Sequence, residues 1–243
     1  MDLRIAVAPR MLVAFALVLA ITGPAGTAVA QVTVLLPTDG DLKATLELPG
    51  DVQRGKDAFA ECQTCHRKDA SGRPRFDIPR LSGQHASVLI KQLMDIQADR
   101  RINPEMRDYM VDSGFTLQDY ADIAAYLQSL PPVGDIAQGP PALVPRGQAL
   151  YARDCSGCHG EQGEGRAELF YPMLASQHYS YLLREIELIE TGQRGNSNPA
   201  MPPILANLSA DDKQAIAAYL AQLPAPRRAA TPQGPVTSPP PSM

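Results

Sequence analysis

The chain has 243 residues, of which 44% are hydrophobic and 20% are charged, and its formal net charge at pH 7 is −4. This slightly acidic balance lacks the basic excess by which nucleic-acid-binding proteins neutralise phosphates. Composition and charge therefore argue against a nucleic-acid partner.

Residues 1–30 have the pattern of a secretory signal. Two arginines precede an uncharged apolar run from Met11 to Ile21, and Ala28-Val29-Ala30 has the small-x-small form of a signal-peptidase site. The run is shorter than the roughly 20 residues that span a bilayer, so a permanent anchor is the less favoured alternative. We expect a mature chain that begins near Gln31 and resides in a bacterial periplasm, with peripheral membrane association left open.

Two CxxCH motifs, Cys62–His66 and Cys155–His159, use all 4 cysteines and half of the 4 histidines. On a helical turn, cysteines three apart face the same side and can reach the two vinyl groups of one porphyrin, while the next imidazole falls beneath the iron. The motifs predict two covalently bound haem c groups, attached through Cys62, Cys65, Cys155 and Cys158, with His66 and His159 as axial iron ligands.

Three other uses of the cysteines fit the sequence less well. A thioredoxin-like pair requires a preceding strand and gives the histidine no role. A zinc ribbon places its CxxC pairs about 15–20 residues apart, whereas these lie about ninety apart. Disulfides are common in secreted chains, but thioether bonds to haem would leave no thiol to pair. Haem attachment is the favoured interpretation.

Aligning the two motifs aligns much of the chain at an offset of 93, which indicates an internal duplication. Matching positions include Pro79 with Pro172, Gln84-His85 with Gln177-His178, and Arg101 with Arg194. The predicted organisation is a signal peptide (1–30), an N-terminal extension (31–50), a first copy (51–130), an extended Pro/Gly linker (131–144), a second copy (145–223) and a disordered Pro-rich tail (224–243).

Each copy is predicted to contain three helices. The first leads into CxxCH and carries a glycine and an aromatic residue four apart, the second covers 86–98 or 179–190, and the third opens with a capping box at Thr116 or Ser209. Phe59 stands three residues before its motif and Tyr151 stands four before its own, so a difference in register is expected.

Met106 and Met201 occupy matching Asn-Pro-x-Met segments, predicted to be loops ahead of the final helix. Thioether sulfur is a soft ligand that favours ferrous iron, so both are candidate second axial ligands. Met110 is the alternative in the first copy because it would share a helical face with Met106. Leu205 stands at the equivalent step of the second copy.

For several polar residues the sequence is compatible with two roles. His85 and His178 are predicted at the surface or beside haem propionates, with axial ligation as the alternative. Arg101 and Arg194 could bind propionates or simply be exposed. A basic cluster after the first motif could steer the protein to an acidic partner, a solvated loop being the alternative: Arg67, Lys68, Arg73, Arg75 and Arg80.

The glycine and aromatic pair, CxxCH, a downstream proline, a methionine and an aromatic-bearing final helix resemble class I cytochrome c. The duplication, with Leu81-Ser-Gly-Gln84 and Gln92-Leu93, is similar to the dihaem cytochrome c4 family over about residues 51–223. The resemblance implies an all-α fold of two tandem class I cytochrome c domains. It also implies that Pro79 and Pro172 supply the carbonyls that orient the iron-bound histidines.

The function implied is electron transfer rather than catalysis. Expected partners are a membrane quinol-oxidising complex and a terminal oxidase, or a periplasmic dehydrogenase. One alternative is a fixed haem subunit of a periplasmic dehydrogenase complex, tethered by the Pro-rich tail. A dihaem enzyme is less favoured, since a peroxidase needs an open iron position and a thiosulfate-oxidising cytochrome usually uses a further cysteine.

Overall fold

The computed structural model describes residues 36–132 and 134–226, so the predicted signal peptide and residues 227–243 of the predicted tail lie outside it. Within those ranges the chain is helical and contains no β-strand, which confirms the all-α class. No helix there is both long and apolar enough to cross a membrane. The helices are α1 (Asp39–Glu47), α2 (Val52–Ala58), α3 (Gln63–His66), α4 (Ala86–Gln97), α5 (Pro104–Ser113), α6 (Leu117–Ser129), α7 (Val144–Asp154), α8 (Ser156–His159), α9 (Tyr179–Glu190), α10 (Met201–Ala206) and α11 (Ala210–Gln222).

The first and last helices of each copy pack closely at the predicted glycines. A Cβ added to Gly55 on α2 would lie 1.9 Å from the carbonyl oxygen of Asp122 on α6. A Cβ added to Gly147 on α7 would lie 1.9 Å from the corresponding oxygen of Ala215 on α11. Only glycine permits backbones to approach this closely.

The expected difference in register is absorbed by a short 3₁₀ helix. In the first copy α2 ends at Ala58 and Phe59–Cys62 form a 3₁₀ turn, whereas α7 in the second copy continues as an α-helix to Asp154. Because the tighter helix repeats every three residues instead of 3.6, it compensates for the missing residue. The aromatic rings keep equivalent places, with Phe59 5.7 Å from Tyr126 and Tyr151 5.6 Å from Tyr219.

The middle and final helices agree with the sequence prediction. Helices α4 and α9 begin and end within one residue of the expected bounds. The capping boxes at Thr116 and Ser209 are formed, each through the aspartate three residues later. The apolar stripes of α6 and α11 lie in the two hydrophobic cores, to which Ile123 and Ile216 belong.

The N-terminal extension contributes α1, a helix beyond the three predicted for each copy. Its Leu46 is buried in the core of the first copy, and the helix packs against α4 and α6. A capping box between Thr38 and Asp41 begins the helix. The extension is therefore part of the first copy's core.

The two methionine segments are helical, so their prediction as loops is wrong. Met106 lies in the first turn of α5, where Asn103 is the N-cap and Pro104 the first residue. Met201 is the first residue of α10. Proline is compatible with the first turn because its missing N–H would have no intrahelical acceptor there.

The two copies pack against each other through reciprocal contacts: each of these contacts from the first copy to the second has an equivalent from the second to the first. The Gln84 carboxamide accepts from the Met173 N–H (2.9 Å) and donates to the Met173 carbonyl (3.0 Å). At the offset of 93 these residues become Gln177 and Arg80, and the Gln177 carboxamide bonds the Arg80 N–H and carbonyl at 2.9 Å each. Such reciprocal contacts are the property of a two-fold axis.

Two more reciprocal pairs belong to the interface. In the first pair, His85 Nε2 lies 2.7 Å from the Glu164 carbonyl oxygen, and His178 Nε2 lies 2.8 Å from the Ser71 carbonyl oxygen. In the second pair, the Ser87 hydroxyl donates to the Ala167 carbonyl (2.6 Å), and the Ser180 hydroxyl donates to the Pro74 carbonyl (3.1 Å). The sequence offset therefore also relates the two halves of the interface.

The segment between the copies is anchored to the second one. The Ala137 N–H donates to His178 Nδ1 (3.2 Å), and the Ala137 carbonyl accepts from the Tyr179 N–H (2.9 Å). Gly139 is buried against Tyr179 and Ala218, where a Cβ would collide with both side chains. These contacts fix the entry into α7.

Candidate functional site

One continuous cavity of about 650 Å³ lies between the helices of both copies. All eight predicted haem-binding residues line it: Cys62, Cys65, His66 and Met106 from the first copy, and Cys155, Cys158, His159 and Met201 from the second. The fold thus brings the two motifs, which are 93 residues apart, to one cavity. It also brings there the two methionines, each more than 35 residues from its motif.

Each CxxCH motif forms a short turn of helix, α3 or α8, at the cavity wall. Cys62 and Cys155 are partly buried, and burial raises the pKa of each thiol to about 11. Cys65 and Cys158 are more exposed. The more buried thiol of each pair is therefore protonated at neutral pH.

An equivalent arginine braces each motif. Arg73 donates from Nε to the Cys65 carbonyl (3.2 Å) and from Nη2 to the Thr64 carbonyl (2.9 Å). Arg166 donates from Nη2 to the Gly157 carbonyl (3.1 Å). These contacts satisfy carbonyls near the C-terminus of a four-residue helix and favourably place a cation there.

The motif histidines are neutral and point a ring nitrogen towards proline carbonyls. His159 Nδ1 lies 3.4 Å from the Pro172 carbonyl oxygen, an arrangement in which Nδ1–H would donate. Burial lowers the pKa of His66 to about 4, against the opposing effect of the Pro79 carbonyl, and it also lowers the pKa of His159. The His66 Nδ1 is buried without a completed hydrogen bond.

The structure pairs Met106 with Met201 and Met110 with Leu205. Met106 and Met201 are partly buried residues in the first turns of α5 and α10, and each packs at the edge of its core. Met110 and Leu205 are 3% and 4% exposed and belong to the cores themselves. Met110 also lines the cavity, so both candidate ligands of the first copy are close to it.

The remaining two histidines lie in the interface between the copies. His178 is 1% exposed and has both ring nitrogens engaged, Nδ1 by the Ala137 N–H and Nε2 by the Ser71 carbonyl. His85 makes the equivalent Nε2 contact with Glu164. Their prediction as surface residues is wrong, because both histidines bond across the interface between the copies.

Arg101 and Arg194 line the cavity with side chains only 14% and 15% exposed, so of the two roles considered for them the exposed one is excluded. Both bond the Glu185 carboxylate, at 3.1 and 2.6 Å, and both donate to the Gln92 amide oxygen, at 2.9 and 3.2 Å. Burial acts to raise the pKa of Glu185, but the guanidinium groups of Arg101 and Arg194, together with that of Arg184, outweigh it and hold that pKa low. Tyr181 completes this network, which crosses between the copies.

The predicted basic cluster divides into residues with different environments. Arg67, Lys68 and Arg75 are exposed, and Arg73 braces the motif as described. Arg80 is 3% exposed, so its place in an exposed steering surface is wrong. Its burial could not be predicted from neighbouring residues because its partners in the second copy lie 95 to 97 residues away.

The donor set of each copy fits a covalently attached haem. A thiol pair and a neutral imidazole share one helical turn, a thioether lies on a facing helix, and apolar side chains form most of the remaining wall. The unpaired Nδ1 of His66 next to the Pro79 carbonyl suits an iron-bound imidazole, whose second nitrogen normally donates to such an oxygen.

Comparisons with known families agree with this geometry. Residues 52–131 match the family model described as "Cytochrome c", and residues 142–220 match the one described as "Cytochrome C oxidase, cbb3-type, subunit III". Both matches fall on the duplicated copies.

Curated and solved relatives span both copies. The chain is 35% identical to "Cytochrome c4" of Azotobacter vinelandii, over 70% of this chain and 88% of that protein. It is 33% identical to a "Thiosulfate dehydrogenase electron acceptor" of Stutzerimonas stutzeri, over 68% and 80%. The crystal structure of reduced recombinant cytochrome c4 from Pseudomonas stutzeri matches at a TM-score of 0.64 and 31% identity, covering 72% of this chain and 100% of that one.

Proposed function

Because the chain belongs to the cytochrome c4 family, we propose that it is a periplasmic electron carrier with two covalently bound haem c groups. Each haem supplies an iron that accepts and releases one electron. The task of the protein is to hold two such groups at fixed positions, protected from solvent.

We assign the attachment and ligation of each haem to residues that line the cavity. Cys62 and Cys65 would attach the first haem, with His66 and Met106 as its axial ligands. Cys155, Cys158, His159 and Met201 would serve the second in the same way. Arg101 and Arg194, both at the cavity wall, are suited to the propionate carboxylates.

The observation that carries the proposal is the single cavity that contains both ligand sets. Two irons held in one continuous apolar space can exchange electrons without the approach of a second molecule. A methionine in each copy would occupy the sixth position of its iron, which would leave no open site for a substrate. This arrangement supports a carrier and argues against a dihaem peroxidase.

Partner proteins are proposed to be other redox proteins of the periplasm. The first copy exposes Arg67, Lys68 and Arg75 after its motif, where the second copy has Gly160, Glu161 and Glu168. Opposite charges at the two rims favour different partners, since charge complementarity governs encounter. The name of one relative, a thiosulfate dehydrogenase electron acceptor, makes a dehydrogenase a suitable class of electron donor.

The test is mass spectrometry and a visible redox titration of the purified protein. We expect two covalent haems and two one-electron waves from six-coordinate iron. Replacing Cys62 and Cys65 by Ala should remove one haem and leave the other, and replacing Cys155 and Cys158 should do the converse. A five-coordinate iron that reacts with peroxide would contradict the carrier.

A fixed subunit of a dehydrogenase complex would have the same haems, so it needs a separate measurement. Size-exclusion chromatography of an untreated periplasmic extract, followed by haem absorbance, separates the two cases. Elution at the mass of the single chain supports the carrier. Stoichiometric elution with a dehydrogenase at high salt supports the fixed subunit.

A further inference from the structure

Arg80 is a buried cation whose side-chain partners are all main-chain carbonyls. Its Nε donates to Ser176 (2.6 Å), its Nη1 to Ser82 (2.5 Å) and its Nη2 to Ala175 (2.9 Å). No carboxylate of the described ranges forms an ion pair with Arg80. Burial lowers the pKa of the guanidinium to about 10, which leaves it protonated at neutral pH.

The guanidinium lies between equivalent atoms of the two copies. Ser82 and Ala175 are separated by the same 93 residues that relate the copies, and the carbonyl oxygen of each accepts a hydrogen bond from one terminal nitrogen of Arg80. A group bound by two equivalent atoms is close to the two-fold axis that relates them. Arg80 therefore occupies a place that belongs to neither copy alone.

The equivalent residue in the second copy explains why only one arginine is present. Met173 is 4% exposed and makes the same backbone bonds with Gln84 that Arg80 makes with Gln177. The reciprocal interface thus forms around an uncharged side chain as well as around a charged one. Two guanidinium groups would compete for one axial place and repel each other.

We propose that Arg80 is a positioning residue for electron transfer, a single cation on the internal two-fold axis that fixes the two copies together and favours the ferrous state of both haems. This inference rests on the haem assignment proposed above. Reduction adds one negative charge to each iron, and a buried cation stabilises that charge because little solvent screens it. Arg80 lines the shared cavity and directly follows Pro79, the expected partner of His66.

The test is a redox titration of the intact dihaem protein in four forms: the parent, Arg80→Met, Met173→Arg and the exchange Arg80→Met/Met173→Arg. In Arg80→Met we expect the ferrous-to-ferric ratio of both haems at a fixed potential to fall about tenfold, which is 59 mV for one electron. The exchange should restore both potentials, because an arginine from either copy can reach the axis. Met173→Arg alone should lower the thermal midpoint without raising the potentials further.

Two further variants separate charge from packing. Arg80→Lys keeps the cation and should keep both potentials. Arg80→Gln removes the charge and should lower both potentials as Arg80→Met does. If Arg80→Met does not fold, Arg80→Gln takes its place in the comparison. Gln177→Leu removes the backbone pairing of Arg80 but not its charge, and should leave the potentials in place.

Three results would overturn the proposal: unchanged potentials in a folded Arg80→Met or Arg80→Gln, a change in one haem only, or an exchange variant that folds without restoring the potentials. Failure of the haem assignment itself would be visible separately, since the parent would then lack one of its two waves.

Discussion

Met106 and Met110 lie one turn apart on α5, and the packing distinguishes their roles. Met110 fills the position that Leu205 fills in the second copy, where no sulfur is required. Met106 shares its partial burial and first-turn position with Met201. We therefore expect Met106→Ala to abolish the weak thioether-to-iron absorption band of the first haem and to lower its potential, because ferrous iron loses its soft ligand.

The matched control for that experiment is Met110→Leu, which installs the residue that the second copy already has. It should keep the band and the potential and change the free energy of unfolding by less than about 1.5 kcal/mol, as volume-conserving core exchanges do. Loss of the band in Met110→Leu but not in Met106→Ala would reverse the ligand assignment.

At the scale of single residues, covalent chemistry is what the sequence predicts well. Cys62, Cys65 and His66 must be adjacent in the chain to meet one porphyrin, and the structure places them and their second-copy equivalents at the cavity. Arg80 and His178 were predicted at the surface because their partners are distant in sequence: 95 residues separate Arg80 from Ala175, and 107 separate His178 from Ser71. Burial that depends on the second copy leaves no local signal.

Among the elements, the contact between α2 and α6 gives the sharpest prediction. A methyl group at Gly55 would lie 1.9 Å from the Asp122 carbonyl oxygen and 2.9 Å from the Tyr126 Cβ, so the helices must separate. We expect Gly55→Ala to lower the free energy of unfolding by about 1–3 kcal/mol, as overpacking does. Denaturant titration followed by circular dichroism measures the change.

Gly40→Ala is the control because it places the same methyl group in a helix without a collision. The nearest atom to that Cβ would be the Thr38 hydroxyl at 3.5 Å, an ordinary contact on α1. Alanine restricts the unfolded chain more than glycine, so stability should rise by up to about 1 kcal/mol. Equal effects of the two substitutions would show that the close helix contact is not the cause.

The helices that were not predicted did carry local signals. Helix α1 begins at the same Thr-x-x-Asp capping pattern that identified α6, but its segment precedes the part of the chain that resembles a known family. Helix α5 has an Asn cap, a first-turn proline and a left-handed Gly114 at its end. Helix α10 has only six residues and no side-chain cap, so little in its sequence separates it from a loop.

On the scale of the whole molecule, the duplication predicted two similar copies but not how they meet. The reciprocal contacts are hydrogen bonds from side chains to main-chain groups. Because every residue has such main-chain groups, the sequence does not indicate which of them are the partners. The breaks in the symmetry are informative in turn: Gln92 faces Glu185 across the cavity network, and Arg80 stands where the second copy has Met173. In both cases one copy has a charged residue and the other an uncharged one, whereas two identical copies would have two charges or none at these positions.

The glutamines of the interface should make the two copies unfold as one unit. Gln84 and Gln177 each bond a buried N–H and a buried carbonyl of the other copy, and an unpaired buried group costs about 1–3 kcal/mol. In the Gln84→Ala/Gln177→Ala variant we expect lower stability and a loss of cooperativity. Gln53→Ala, at an exposed glutamine bonded only within α2, should change neither.

Cooperativity can be measured in protein that carries one haem, obtained by replacing one cysteine pair. Haem absorbance then reports the unfolding of a single copy, while far-ultraviolet circular dichroism reports both. With the glutamines in place the two signals should change at the same denaturant concentration, since the copies share a buried interface. In the double glutamine variant they should separate. Coincident transitions in that variant would mean that the remaining contacts, including those of Arg80 and His178, are sufficient to couple the copies.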